Sequence, residues 1–141
     1  MTTETLLETA LREILGTSPA LAALEPRPRI GDDHDKMPPV SLVVACEYTG
    51  RSIQILDDYD VAITLTRPFR DEGTDTADFK TLWAEVRARI DAWYSLLPAI
   101  ASVGSIAHLT IDEIEQSGTT FISGSEISRT LTLSAFIRAA G

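Results

Sequence analysis

At 141 residues, with 44% apolar and 23% charged side chains, the chain has the size and composition of one folded domain, outside the highly charged regime of disordered sequences. Its 21 acidic against 12 basic side chains leave a net charge of −9. With only Lys36 and Lys80 as lysines and no basic run, phosphate-rich partners such as nucleic acid or an anionic membrane surface are disfavoured.

The N-terminal stretch MTTETLLETALREILG lacks the positive start and long apolar block of a signal peptide, and no run approaches the ~20 apolar residues of a membrane span. A cytoplasmic setting is therefore expected. Residues 3–15 read as an amphipathic helix with Thr3 as N-cap. Leu6, Leu7, Ala10, Leu11, Ile14 and Leu15 form its apolar stripe, and Glu4, Glu8 and Arg12 lie opposite. Gly16 stands where a helix stop belongs.

Residues 17–39 hold five of the seven prolines. They read as an irregular arm with a short helical turn around Ala20–Leu24, too long for a simple turn and suited to a functional surface or to lying on a neighbouring subunit. Val40 to Tyr48 is a nearly continuous apolar strand, and Thr49–Arg51 reads as a hairpin turn. Its single cysteine, Cys46, excludes an internal disulfide and a four-cysteine zinc site, and reads as a buried, inert thiol.

Ile53, Ile55, Tyr59, Val61, Ile63 and Leu65 share odd parity. That predicts one long strand over about 52–67, with Asp57 and Asp58 at a bulge and the outer end projecting from the body. Pro68 ends it. An acidic loop follows, and Asp78 is placed to cap a helix over 79–93 carrying Phe79, Leu82, Trp83, Val86, Ile90 and Trp93 on one stripe. Pro98 marks the end of that helical stretch. Strands are then expected at 106–115, near Phe121–Ser123 and at 127–137, separated by QSGTT and SGS. The sum is an α+β domain over 1–141: a mainly antiparallel sheet with a long β-hairpin and two principal helices packed on one face.

No chemical motif stands out. Asp71, Glu72, Asp75 and Asp78 fail the spacing of a helix–loop–helix calcium site, because glycine comes third and the twelfth residue is Leu82. His34 among Asp32, Asp33 and Asp35 has no second histidine or cysteine at ligand spacing. There is no nucleophile elbow, dinucleotide fingerprint or phosphate loop. No catalytic residue, cofactor site or metal site is assigned. Trp83 and Trp93 read as packing. The cations Arg51, Arg67 and Arg70 stand at the ends of the long hairpin beside Asp57, Asp58, Asp71, Glu72 and Asp75. Mixed charge at projecting tips suits protein docking, so these eight residues are the candidate protein interface.

Four stretches together resemble the tail terminator, or tail completion, proteins of long-tailed bacteriophages. They are the TETLLETALREILG helix, the proline-rich passage to MPPVSLVVACEY, the strand YDVAITLTRP leading through acids into DFKTLWAEVRARIDAW, and the closing SGSEISRTLTLSAFIRAA. The resemblance covers nearly the whole chain and rests on patterns of residue class. It implies a structural virion protein, not an enzyme, needing no cofactor and assembled in the host cytoplasm. Such a protein is a homo-oligomer, a hexameric ring at the head-proximal end of the tail. It caps the tail tube, ends tube polymerisation and meets a neck or head-completion protein. DNA would pass its lumen without sequence-specific binding, and no membrane is involved. An acidic chain suits such a lumen, and a heterologous contact closes naturally into a ring. Two alternatives stay open: another ring-forming neck protein, either head closure or adaptor, and a small metal- or ligand-binding module built on the Asp32–Asp35 and Asp71–Asp78 stretches.

Overall fold

The computed structural model describes residues 2–24, 27–28, 41–51, 55–68, 72–123 and 126–141. Its first element is α1, Thr3–Leu15, whose six stripe residues are all buried. The N-cap is Thr2 and not Thr3: the Thr2 hydroxyl accepts from the Thr5 amide at 3.2 Å. That leaves the Thr3 side chain free for a tertiary contact described below. A single helical turn, α2 (Pro19–Ala22), follows with proline in its first turn, where a missing amide costs nothing.

The strands are β1 (Arg27–Pro28), β2 (Ser41–Arg51), β3 (Asp57–Pro68), β4 (Ile106–Ser123) and β5 (Glu126–Ala139). They form one sheet in the order β1-β2-β3-β5-β4. Among the described strands only the short β1 is parallel to its neighbour; the other four are antiparallel to one another. Between β3 and β4 lie α3 (Glu72–Asp91), α4 (Trp93–Leu96) and two 3₁₀ turns at Leu97–Ala99 and Ala101–Ser105.

Side-chain alternation gives the sheet two unlike faces. Leu42 and Val44 of β2, Tyr59, Val61, Ile63 and Leu65 of β3, and Leu131, Leu133, Ala135 and Ile137 of β5 are buried against α1 and α3 in one core cluster. Phe79, Trp83, Val86 and Ile90 are the contribution of α3. Thus the α+β reading holds, with two principal helices on one face. The opposite face carries Val43, Ala45, Ala62, Thr64, Thr66, Thr130, Thr132, Ser134 and Phe136, all half-buried.

Three further expectations are overturned. The proposed strand over 52–67 is not one strand. β2 runs on through Thr49, Gly50 and Arg51, and the chain reverses between Arg51 and Asp57. A bulge absorbs the parity conflict: Tyr48 pairs with Tyr59 and Gly50 with Asp58, leaving Thr49 as the extra residue on β2. Ile55 is in the reversal, not on a strand, and Ile53 lies outside the described residues. Nor does β3 project: β5 pairs with it along its whole length, from Asp57↔Ile137 to Pro68↔Glu126.

Second, the helix expected at 79–93 begins at Glu72, so Asp78 is in its second turn and caps nothing. Acids near a helix start suit the positive end of the helix dipole, a signal the apolar stripe from Phe79 onward does not carry. Third, the closing region has two strands, not three. QSGTT lies inside β4, where register shifts at 112–115 and 117–121 accommodate it without a reversal.

Candidate functional site: a protein-interface end of the sheet

Arg51, Asp57 and Asp58 come together at the end of the β2–β3 hairpin, but two of them are occupied inside the chain. The exposed Arg51 guanidinium pairs with Asp57, Nε to Oδ1, at 3.2 Å. The other carboxylate oxygen of Asp57 accepts from Thr3 Oγ1 at 2.6 Å, and the Tyr59 hydroxyl lies 2.7 Å from the same Thr3 oxygen. Because Thr3 has one proton and gives it to Asp57, Tyr59 donates to Thr3. The chain Arg51–Asp57–Thr3–Tyr59 thus ties the hairpin to the first turn of α1. Burial raises the Tyr59 phenol above its ordinary value; Asp57 and Glu4 add to this, and the Thr3 hydrogen bond opposes it.

Asp58 faces the other side of the sheet. Its backbone carbonyl accepts from Thr49 Oγ1 at 3.1 Å, while its Oδ1 is buried with no hydrogen-bond partner. On that same outer face Glu47 stands directly opposite Asp60, and both are exposed. Like charges in direct cross-strand register oppose pairing. The end of the sheet is therefore acidic, and exposed apolar groups accompany it: Tyr48 is 53% and Ile55 62% exposed. Tyr48 leans edge-on against Tyr59, with ring centroids 5.6 Å apart.

The remaining candidates are not part of this cluster. Arg67 is half-buried at the opposite end of β3, ten positions and about 33 Å from Asp57 along an extended strand. Glu72 and Asp75 belong to the first turns of α3 instead of a loop. Arg70 and Asp71 lie outside the described residues, as do Asp32–Asp35 of the considered metal loop. Among the described residues no three His, Cys, Asp or Glu side chains are grouped as a metal ion would need. His108 is exposed on β4, its Nε2 2.9 Å from Thr110 Oγ1.

Cys46 lies on the core-facing side of β2, partly buried against the core. Burial, reinforced by Glu8 and Glu4, pushes its thiol up to about 12, which removes the thiolate needed for nucleophilic chemistry at neutral pH. Trp83 is stacked parallel to Phe79 at 6.4 Å, and the Arg129 guanidinium lies over its ring at 5.1 Å. It is a packing residue, as its place on the apolar stripe of the helix predicts.

Sequence reasoning missed Thr3, Glu47, Tyr48 and Asp60 at this end. Glu47 and Asp60 become visible as a pair only once the β2–β3 register is known, and the bulge at Thr49 hid that register. No family model matches this chain, and no curated protein matches it.

Proposed function

We propose that this chain is a structural component of a phage tail, a terminator that rings the head-proximal end of the tail tube and joins it to the neck. The observation that carries the reading is the element order: a leading amphipathic helix, a proline-rich passage, a hairpin, a long helix and a closing hairpin, arranged as a helix-covered antiparallel sheet. That is the order in which the resemblance to tail terminators runs.

The acidic hairpin end supports a protein-docking role: Glu47 and Asp60 stand opposite each other on the outer face with Asp58 close by, and exposed Tyr48 and Ile55 lie at the same end of the hairpin. A projecting strand no longer contributes, because β3 is flanked along its whole length. Arg51 and Asp57 contribute less than their exposure in sequence suggested, being paired with each other.

Light scattering across protein concentration, with and without the tail tube protein of the same phage, tests the proposal. A ring of several copies, formed alone or on the tube, is expected. A strict monomer that stays monomeric with tube protein present overturns it.

A further inference from the structure

In a chain of net charge −9, four of the 12 basic side chains gather around one indole. Lys80 and Arg87 stand three residues before and four after Trp83 on α3, which puts them on its side of the helix. Below the helix, alternation places Arg67 of β3 and Arg129 of β5 on the helix-covered face of the sheet. Leu65 is opposite Arg129 and Arg67 opposite Ile127, so the two arginines are diagonal neighbours, about 7–8 Å apart.

Arg87 has a counterion in Asp91 at 3.9 Å. Among the described residues no carboxylate pairs with Arg67 or Arg129. Arg129 lies instead over the Trp83 ring, 5.1 Å from its centroid. Two donors at this contact are buried without an acceptor: Trp83 Nε1, on a residue only 5% exposed, and Arg129 Nε. Buried N–H groups nearly always find an acceptor, and one left without it is destabilising. What this cluster lacks is acceptor atoms carrying negative charge.

We propose that Trp83, Arg129 and Arg67 form a binding site for a carboxylate group. A carboxylate brings two acceptor oxygens in one plane, which suits the guanidinium fork and offers lone pairs to the indole N–H as well. Its single charge also matters. A phosphate-rich polymer is held by many neutralising contacts, and the acidity of the rest of the chain repels it. Arg129 admits the ligand: it is half-buried and tethered, among the described contacts, by the ring alone, so a change of rotamer opens the site. The carboxylate belongs to a free organic acid or to an Asp or Glu side chain of a docked protein, and the probes below separate these two sources.

The two tryptophans give two indole signals in a nitrogen–proton correlation spectrum; Trp83→Phe assigns them, and Trp93 is the internal control. Acetate and a tetraglutamate peptide are titrated at constant ionic strength, with chloride and inorganic phosphate as comparison anions. The expected result is a Trp83 indole signal that moves downfield and saturates with a carboxylate while that of Trp93 stays in place. Arg129→Gln should weaken the midpoint at least about tenfold. Saturation at a lower carboxylate concentration with the peptide assigns the ligand to a protein side chain, and the reverse to a free acid. Arg67→Gln replaces Arg129→Gln if the latter lowers the urea midpoint. A Trp83 signal that neither carboxylate moves, that phosphate or chloride moves equally, or whose response survives both substitutions overturns the proposal. None of these readings involves ring formation, so the site and the tail proposal fail separately.

Discussion

Ile55 is held with φ at +62°, in the left-handed region that a β-branched side chain disfavours by about 1–2 kcal/mol. Its side chain is largely in water, so burial returns little of that cost. Ile55→Asn is expected to stabilise the isolated chain by about 1 kcal/mol, because asparagine tolerates this conformation. A urea midpoint that does not rise would show that Ile55 gains more from its surroundings than its exposure suggests. Cys46 gives a second prediction. With its thiol near 12, only about one part in ten thousand is ionised at pH 8. Native protein should resist iodoacetamide at that pH, and unfolding in urea should release the reaction.

Glu8 supplies a third prediction, with a definite sign. Burial, and secondarily Glu4, raises its carboxyl above the ordinary value, while Arg12 opposes the shift. A raised folded-state carboxyl means that folding is favoured by protonation. The favourable contribution is complete below the unfolded-state value and is lost as pH rises through the folded one. Glu8→Gln should therefore unfold at a higher temperature than wild type at neutral pH. That advantage should shrink as the pH is lowered through the carboxylate range. An advantage that grows on acidification would contradict the assignment.

Among the elements, the join between α1 and β3 is the most testable. Thr3 links Asp57 and Tyr59 at 2.6 and 2.7 Å, and Asp57 also holds Arg51. Thr3→Val keeps the shape and removes both contacts, with an expected cost of about 1–2 kcal/mol in chemical denaturation, since it leaves Asp57 and Tyr59 short of a partner. Leu7→Ala in the same helix should cost about 2–5 kcal/mol, because Leu7 is wholly buried. A second tie joins the helices: Ser18, 1% exposed, donates to Glu85 Oε2 at 2.9 Å, and Arg89 reaches both Glu85 and Thr17. At the sheet margin, β4 departs from regular register at 106–108, 112–115 and 117–121. Irregularities of this kind blunt an edge against pairing with another chain.

At the scale of the whole molecule, the fold class was legible because apolar periodicity survives locally. The stripe of α1 and the alternation of β5 point to the core without knowledge of anything distant. The sequence failed where two strands must be registered against each other. A bulge of one residue at Thr49 moved the turn from 49–51 to beyond Arg51, and the irregularities of β4 disguised one strand as two. The candidate interface was only partly legible for the same reason: Arg67 shares a strand with Asp57 but stands at its far end. Both helices and all the long strands share one core. Unfolding should therefore be a single transition, with far-ultraviolet dichroism and tryptophan fluorescence coinciding.

The order β2-β3-β5-β4 places the C-terminal strand in the middle of the sheet. A chain emerging from the ribosome thus displays Val61, Ile63 and Leu65 on a strand whose second neighbour has not yet been made. Among the described strands β4 pairs only with β5, so it waits for Glu126 and the residues after it. Until then, the unpaired edges of β3 and β4 are open to other nascent chains on the same message. Completion waits on pairings such as Asp57↔Ile137, distant in sequence and slow to find. Translation that pauses just before β5 would be the moment of greatest aggregation risk for this protein.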